Sequence, residues 1–364
     1  MKKAAVIIIS IALFFLNGVD AFASDEIYGE IFDAFSDEAL SLLEDFGISS
    51  NGDVSFFDIT PAKAVNTVLE LFTRGFKDIF TGAAEILILI VITAMLTGIL
   101  PSDGNLFFMG KSVAVMTVMF SLVKLTGEIF TECASALLVT KDFMLTLIPV
   151  FTGVVTVSGN PSLALNFNSV VFAFAEGIAV LFEGAVPVMA AVLSAVCSAG
   201  AINPYMKLQG IGRTLSKAIT LIMAFVSGIF VAVLSVRGVI AGAADSVTIR
   251  GVRFLIGNTV PVVGSAIGEA LNSVVAGIGL IKSTVGMLGI VGVAVINLPV
   301  FINIILWKGV LFVAGVVADI TGCGEIKSFS ESLSGVISVV TGALCFASFV
   351  FIISIAIILT VSKA

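Results

Sequence analysis

The chain has 364 residues, of which 59% are hydrophobic and 12% are charged, and its net charge is −7. Soluble domains carry about 25% charged residues, so this chain has too much apolar surface for a water-facing globule, and lipid is its expected solvent. It contains no histidine, which removes the commonest general acid–base group and the commonest metal ligand. The composition therefore predicts an all-α, polytopic helical membrane protein that is not an enzyme, with no catalytic residues, no metal and no cofactor.

Residues 1–23 have the pattern of a cleavable secretory signal peptide. Lys2 and Lys3 precede an apolar stretch of 13 residues (4–16), and residues 21–23, Ala-Phe-Ala, match a small-residue cleavage site. The apolar stretch is short for a membrane span, which needs about 20 residues. An uncleaved anchor is the alternative. Cleavage would place the residues that follow outside the cytoplasm.

Residues 24–78 form an acidic segment. They contain twelve acidic and three basic residues, a local charge of −9, whereas 79–364 contain 13 basic and 12 acidic residues, a charge of +1. Because the membrane part carries no strong positive charge, the chain lacks the basic face that nucleic-acid binding needs. We therefore expect three parts: the signal peptide, an extracytoplasmic amphipathic helical segment (24–78) and a polytopic membrane domain (79–364).

Two apolar stripes at helical spacing run through the acidic segment. The first is formed by Tyr28, Phe32, Phe35, Ala39, Leu42 and Phe46, and the second by Val65, Val68, Leu69, Phe72, Phe76 and Phe80. Between them, Thr60-Pro61 has the pattern of an N-cap followed by a proline in the first turn. Each stripe predicts a helix with one apolar face. Such faces pack on each other or on the membrane surface, or they form a docking surface for a partner outside the cytoplasm.

The membrane domain contains seven stretches with few or no charges: 86–100, 112–123, 143–157, 169–202, 218–236, 283–318 and 332–362. A helix needs about 20 residues to cross a hydrocarbon layer of about 30 Å. Some stretches are shorter than this, so their helices must include charged ends such as Lys111 and Lys124. The stretch 283–318 is too long for one span and is interrupted at 297–299, Asn-Leu-Pro. We predict six to eight transmembrane or re-entrant helices.

Basic residues are concentrated between 203 and 289 and flank the apolar stretch 218–236. They include Lys207, Arg213 and Lys217 before the stretch and Arg237, Arg250 and Arg253 after it. The positive-inside rule favours the cytoplasmic side for both groups, although the stretch is long enough to separate them across a bilayer. Either this helix dips into the membrane without crossing it, or one basic group lies outside.

The segment 245–282 contains a helix break and glycine patterns. Gly257-Asn258 and Pro261 interrupt the apolar run, and glycines spaced four apart (264 and 268) or three apart (286, 289 and 292) predict close helix contacts. Broken membrane helices occur where the backbone lines a cavity or is buried in protein, and a tightly packed interfacial helix pair is the alternative. The candidate polar and packing positions here are Arg237, Arg250, Arg253, Pro261, Gly264, Gly268, Glu269 and Lys282.

Acidic residues also occur within apolar stretches. Glu176 and Glu183 lie seven apart, so on one helix they share a face, and charges at membrane depth usually face a bundle interior or water. Our hypothesis is that they line a polar path or pair with Arg237 or Lys282. The alternative is that 169–202 forms two short helices with Glu183 near a turn. Glu128 and Glu132, spaced four apart, are expected at a helix end.

Three long segments resemble the stage III sporulation protein AE family of endospore-forming bacteria. They are INPYMKLQGIGRTLSKAI (202–219), GIFVAVLSVRGVIAGAADSVTIRGVRFLIGNTVPVVGSAIGEALNSVVAG (228–277) and TLIPVFTGVVTVSGNPSLALNFNSVV (146–171). The signal peptide, the acidic exported segment and the polytopic remainder also fit this family.

The resemblance implies a membrane component of a channel complex, a secretion-like apparatus that joins the mother cell to the engulfed forespore and is needed for late forespore gene expression. It implies a multi-pass protein of the mother-cell membrane that surrounds the forespore. The implied partners are other stage III sporulation channel proteins, namely an ATPase, ring-forming proteins and small membrane components, with membrane lipid around the bundle and a membrane insertase as an assembly factor. It implies no catalytic residues.

A secondary transporter or permease for a small solute is the alternative function. Broken helices and buried acidic residues are compatible with it. Such a transporter would be expected to show an internal repeat, and the segment 203–289 has no counterpart in 79–200.

Overall fold

The computed structural model describes residues 32, 35, 37–45, 61–99, 105–180, 191–192, 195–196, 208–259 and 264–361. The regular elements in this part of the chain are all α-helices, which confirms the all-α prediction. They are α1 (Asp37–Asp45), α2 (Pro61–Ile99), α3 (Asn105–Val157), α4 (Pro161–Val180), α5 (Leu208–Thr259), α6 (Gly264–Ile320) and α7 (Gly324–Val361). The expected signal peptide lies outside the described residues.

Five of these helices contain a stretch that is long and apolar enough to cross a membrane, which confirms a polytopic membrane protein. The stretches are Val65–Ile99, Met109–Val157, Thr220–Thr248, Lys282–Ile320 and Gly324–Val361. Each is longer than the corresponding stretch expected from the sequence, and the expected stretches 112–123 and 143–157 join into one helix, α3. The helix α3 has 53 residues, about 80 Å at 1.5 Å per residue, and it contains Glu128 and Glu132 in its middle and not at a helix end.

The helix α6 runs without a break through Asn297 and Pro299, so the interruption expected at 297–299 is wrong. A proline removes one backbone donor, and membrane helices tolerate this loss where neighbouring groups satisfy the backbone. The carbonyl that Pro299 leaves without its helical donor is that of Val295; the Asn297 side chain instead turns back on its own helix and donates to the carbonyl of Val293 at 2.8 Å. The same Nδ2 group donates to Thr140 Oγ1 on α3 at 2.9 Å. Asn297, which suggested a break, therefore links α6 to α3.

Two tight turns join antiparallel helices. The turn between α3 and α4 places Gly159 at φ 89°, and the turn between α6 and α7 places Gly322 at φ 74°. In each turn the backbone N–H groups of the glycine and of the next residue donate to carbonyls in the last turn of the preceding helix. This pair of bonds is the Schellman motif, which favours glycine at the left-handed position. The helices α3 and α4, and likewise α6 and α7, therefore form helical hairpins with short loops.

The helix α6 occupies the centre of the bundle and packs against α1, α2, α3, α5 and α7. Its glycines form the predicted close-approach face. A Cβ atom at Gly286 would lie 2.7 Å from Leu359, one at Gly289 2.6 Å from Leu147, and one at Gly292 2.6 Å from Phe143. Since real Cβ atoms do not approach other atoms this closely, glycine is what allows α3 and α7 to pack directly on α6.

The first apolar stripe of the acidic segment is a packing face. Phe32, Phe35, Ala39 and Leu42 are buried in the main core, and the ring of Phe35 lies 4.5 Å from that of Phe143 between centroids. This outcome favours the packing interpretation over a docking surface for these side chains. Tyr28 and Phe46 lie outside the described residues.

The second stripe behaves differently. The helix α2 begins at Pro61, as Thr60-Pro61 predicted, but Val65, Leu69, Phe72, Phe76 and Phe80 are exposed. The face of α2 that packs on α6 is the neighbouring one, where Gly75 lies against Asn303 and Leu306. Gly75 and Gly82 let α2 approach α6 closely, and the phenylalanines of the stripe are exposed. The helix also continues through position 78, where the acidic segment was expected to meet the membrane domain.

Candidate functional site

Among the side chains that the structure describes, two charged ones are buried: Asp245 on α5 and Lys282 on α6, each 4% exposed. A buried charge is costly unless it is paired or hydrogen-bonded. Both of these charges meet the end of a helix, and together they mark the most unusual electrostatic site of the bundle.

Asp245 binds the N-terminus of α4. Its two carboxylate oxygens accept the backbone N–H groups of Ser162 at 3.2 Å and of Leu163 at 2.9 Å. The first N–H groups of a helix have no partner inside that helix, and the N-terminus carries a partial positive charge. Asp245 therefore acts as an N-cap supplied from another helix, on a helix that begins with proline and has no acidic residue in its first turn.

Lys282 meets the opposite kind of helix end. Its Nζ donates to the backbone carbonyl of Leu359 at 3.4 Å, in the last turn of α7. The last carbonyls of a helix lack intrahelical donors and carry a partial negative charge. The positive charge of Lys282 thus offsets the partial negative charge at the C-terminus of α7, and the negative charge of Asp245 offsets the partial positive charge at the N-terminus of α4.

Glycines bring these helix ends together. A Cβ atom at Gly242, one turn before Asp245, would lie 2.6 Å from Val361 at the end of α7. A Cβ atom at Gly286, one turn after Lys282, would lie 2.7 Å from Leu359. The start of α4, the end of α7 and the glycine-bearing parts of α5 and α6 therefore converge at one end of the bundle. We refer to this convergence around Asp245 and Lys282 as the helix-end junction.

The charged groups of the helix-end junction stabilise the packing of the helices. Its carboxylate and ammonium groups are hydrogen-bonded to backbone atoms, which holds four helices in register. In the described part of the chain, no group of three or more Cys, Asp and Glu side chains could hold a metal ion. The junction's polar atoms are arranged to bind helix termini.

Glu176 and Arg237 lie apart from the junction. Both are exposed, on α4 and α5 respectively. The two helices are antiparallel, because Phe174 stacks on Phe230 with a centroid distance of 4.2 Å while Leu163 meets Asp245. From the Phe174–Phe230 contact, Glu176 lies towards one end of the pair and Arg237 towards the other. In this structure Glu176 therefore pairs with neither Arg237 nor Lys282.

The other candidate positions lie on the parts of α5 and α6 that are next to each other in the sequence. Arg250 and Arg253 belong to α5, and Gly264, Gly268 and Glu269 belong to α6. Gly257 and Asn258, where the sequence suggested a break, are helical within α5. Pro261 and Glu183 themselves, and the side chains of Arg250, Arg253 and Glu269, lie outside the described residues.

The sequence patterns missed several interior polar contacts. Asp245 was not among the candidate positions. Asn303 Nδ2 donates to Glu132 Oε1 at 2.8 Å, and Lys111 Nζ pairs with Glu325 Oε1 at 2.7 Å. The partners lie 171 and 214 residues apart, so no local spacing could reveal them. The one feature of the sequence that could have indicated these contacts is a polar residue within an otherwise apolar stretch.

The family model for stage III sporulation protein AE matches residues 49–362. A protein of Bacillus subtilis (strain 168) described as "Stage III sporulation protein AE" is 25% identical over 318 residues, which cover 85% of this chain and 77% of the relative. No solved structure matches the chain. The family match includes α2 to α7 and both charges of the helix-end junction. The chain therefore belongs to the stage III sporulation protein AE family, and it is a helical membrane protein with a role in sporulation.

Proposed function

We propose that this chain is a membrane component of the channel complex, a secretion-like apparatus, that joins the mother cell to the forespore during endospore formation and supports late forespore gene expression. The observation that carries the proposal is the family match over residues 49–362. In this role the chain resides in the mother-cell membrane around the forespore, with its N-terminal segment outside the cytoplasm.

The bundle suits the role of a rigid membrane base. Five of the described helices are long and apolar enough to cross a membrane, and the helix-end junction ties four helices together through hydrogen bonds to backbone atoms. We therefore propose that the chain acts by assembly and not by catalysis. The energy for any transport would come from an ATPase partner, and a membrane insertase would place the helices.

The acidic segment is proposed to meet ring-forming partners outside the cytoplasm. Phe32 and Phe35, which precede α1, and Leu42 on α1 are buried in the main core, which anchors this part of the segment to the bundle. Glu44 on the same helix is exposed, and the exposed face of α2 adds Glu70 and Arg74 beside Phe72 and Phe76. These side chains offer a mixed polar and aromatic surface to a protein partner.

A permease remains the second candidate, but the described helices favour it less. The alternative depended partly on a broken helix at Gly257-Asn258 and Pro261, and Gly257 and Asn258 are helical within α5. It also depended on buried acidic residues, and Glu176 is exposed.

The test is a gene deletion in the native host, followed during sporulation. We expect the forespore to shrink after engulfment and a forespore-specific late reporter to fail, with rescue by the intact gene. A variant with the exposed residues Glu44, Glu70 and Phe76 replaced by alanine should insert in the membrane yet fail to recover the ring-forming partners on purification. Normal forespore volume and reporter synthesis in the deletion strain, together with a solute-uptake defect in growing cells, would support the permease.

A further inference from the structure

The helices α5 and α7 run in the same direction and in a nearly constant register. A Cβ atom at Gly342 on α7 would lie 3.9 Å from Thr220 on α5, and one at Gly238 on α5 would lie 3.4 Å from Ile357 on α7. The partners are 122 and 119 residues apart in the sequence, so the offset between the helices hardly changes over about five turns. This offset shows which residues of α5 and α7 lie at the same height.

Two basic residues lie at one height on this side of the bundle. Lys217 comes three residues before Thr220 and is exposed, and with the same offset it lies level with the turn of α7 that contains Ser338. Lys308 on α6 reaches the same turn, because its Nζ donates to Ser338 Oγ at 2.7 Å. Lys217 and Lys308 therefore define a first basic level.

Arg237 and Lys282 lie near a second basic level. Arg237 is exposed and precedes the glycine of α5 that meets Ile357. Lys282 Nζ donates to the carbonyl of Leu359, two residues further along α7. Arg237 follows Lys217 by 20 residues on α5, which is about 30 Å at 1.5 Å per residue. The two basic levels are therefore as far apart as the hydrocarbon core of a bilayer is thick, about 30 Å.

Between the two basic levels this side of the bundle is apolar. The sequence has no charged residue at 218–236 in α5, at 283–307 in α6 or at 332–361 in α7. The exposed side chains of α5 here include Leu221, Phe225, Ile229, Val233 and Val236. Charged groups are costly against hydrocarbon, so an uncharged layer of this thickness is the surface that a bilayer requires.

The far side of the first basic level is different. Ser330 Oγ on α7 donates to the carbonyl of Leu311 on α6 at 2.7 Å, so Phe312 and Glu331, the residues that follow, lie at about the same height. Glu331 is exposed, and an exposed ion pair links α6 to α7 across their turn beyond it. Charged side chains normally face water or protein. The uncharged layer of the α5–α6–α7 side therefore ends at the first basic level, although α6 itself stays apolar for another ten residues.

We propose that one bilayer covers the α5–α6–α7 side of the bundle between the two basic levels, with Lys217 and Arg237 in opposite headgroup layers. Long basic side chains suit this position, because their stems lie against apolar surface while the charge reaches the lipid headgroups. Helix α5 then crosses the membrane completely, and the basic residues before 218–236 lie on the opposite side from those after it. The covered surface does not include α3 and α4, which expose Asp142 and Glu176.

The first test is the side of the membrane from which a cysteine reacts. The natural cysteines at positions 133, 197, 323 and 345 are replaced by alanine, and Lys217→Cys and Arg237→Cys are introduced separately. In membrane vesicles of known orientation, an impermeant maleimide should label Lys217→Cys from one side only and Arg237→Cys from the other side only. Labelling of both variants from the same side, or of neither, would overturn the proposal.

The second test measures depth in the bilayer with two exposed phenylalanines. Phe225 on α5 is 68% exposed and Phe312 on α6 is 73% exposed. Phe225 lies eight residues, about 12 Å, inside the proposed layer, whereas Phe312 lies outside it. The single natural tryptophan, Trp307, is replaced by phenylalanine, and Phe225→Trp and Phe312→Trp are compared. In liposomes of phosphatidylcholine brominated near the middle of its chains, Phe225→Trp should be quenched several-fold more strongly.

A buried phenylalanine at a similar depth supplies the control. Phe351 on α7 is 0% exposed, so Phe351→Trp reports a tryptophan that protein shields from lipid, and it should be quenched weakly. Quenching of Phe225→Trp no stronger than this control would show that protein covers α5. Equal quenching of Phe225→Trp and Phe312→Trp would show that the bilayer is not confined to the proposed layer. Neither test depends on sporulation, so the proposed function and the bilayer placement can fail independently.

Discussion

Asp245 on α5 accepts the backbone N–H of Leu163 at 2.9 Å and thereby caps a helix that begins 84 residues earlier in the chain, at Pro161. The α4 N-terminus has no acidic residue of its own in the first turn, so the negative charge comes from tertiary structure. This contact fixes the α3–α4 hairpin against α5, and α5 meets the end of α7 at Gly242. One carboxylate thus links the start of α4 to α5, next to the position where α5 meets α7.

Replacing Asp245 should therefore destabilise the bundle. N-cap removal costs about 1 kcal/mol, within a range of roughly 0.5–2 kcal/mol, and we expect Asp245→Ala to reach the upper part of this range because the site is buried. Asp245→Asn should lose less, since the amide oxygen still accepts one hydrogen bond. The measurement is the free energy of unfolding of the purified protein in mixed micelles.

The control for Asp245 is Asp319→Asn. Asp319 pairs with Lys327 at 2.8 Å, but its side chain is 58% exposed, and exposed ion pairs contribute about 0–1 kcal/mol. Equal losses for the two positions would show that the α4 cap has no special role.

Gly292 should not tolerate a side chain. A Cβ atom there would lie 2.6 Å from the Phe143 ring and 2.8 Å from the Phe35 ring, so Gly292→Ala must displace two buried aromatics. Overpacking of this kind typically costs about 1–3 kcal/mol. The matched variant in the same helix is Gly309→Ala, where a Cβ atom meets nothing within 4 Å. Since alanine is favoured over glycine in a helix by about 1 kcal/mol, the two variants should shift the thermal midpoint in opposite directions.

Phe35 and Phe76 allow a direct test of the two aromatic stripes. Phe35 is 6% exposed and lies in the core, whereas Phe76 is 54% exposed on α2. Removal of a buried phenylalanine typically costs about 3–5 kcal/mol, so Phe35→Ala should lower protein level and unfolding free energy. Phe76→Ala should leave stability within about 0.5 kcal/mol, as surface changes usually do. If Phe35→Ala proves stable but loses a protein partner, the first stripe is a docking surface after all.

Asn297 should be replaceable by leucine but not by aspartate. Its Nδ2 makes two hydrogen bonds, whereas its buried Oδ1 has no partner. The gain of about 1 kcal/mol per hydrogen bond is offset by the cost of an unsatisfied acceptor, about 1–3 kcal/mol. We expect Asn297→Leu to change the unfolding free energy by no more than about 1 kcal/mol, since the core favours an apolar group.

Asn297→Asp is the informative contrast. It places a carboxylate in a core position that is 1% exposed, and a buried unpaired charge is strongly unfavourable. This variant should accumulate poorly in membranes. Severe destabilisation by leucine instead would show that the amide is essential to the α3–α6 contact.

The sequence by itself determined the class of the protein and several local features. High apolar content and sparse charge predict membrane helices because lipid satisfies no backbone polar group. The start of α2 at Pro61 and the close contacts at Gly286, Gly289 and Gly292 followed from the conformational limits of proline and glycine. The long central motif also identified the family, which the comparison over residues 49–362 confirmed.

Only the tertiary structure decided which polar residues meet and which apolar faces are covered. The α2 stripe of Phe72, Phe76 and Phe80 has ideal helical spacing, yet the face beside it packs on α6, because Gly75 permits a closer approach. Asn297 and Pro299 suggested a break, but α6 is continuous there. Asn297 is bonded to Thr140, which is 157 residues away in the sequence. Asp245 likewise acts on a helix end that only folding brings near. Periodicity reports the faces of a helix, and partners distant in sequence determine which face is buried.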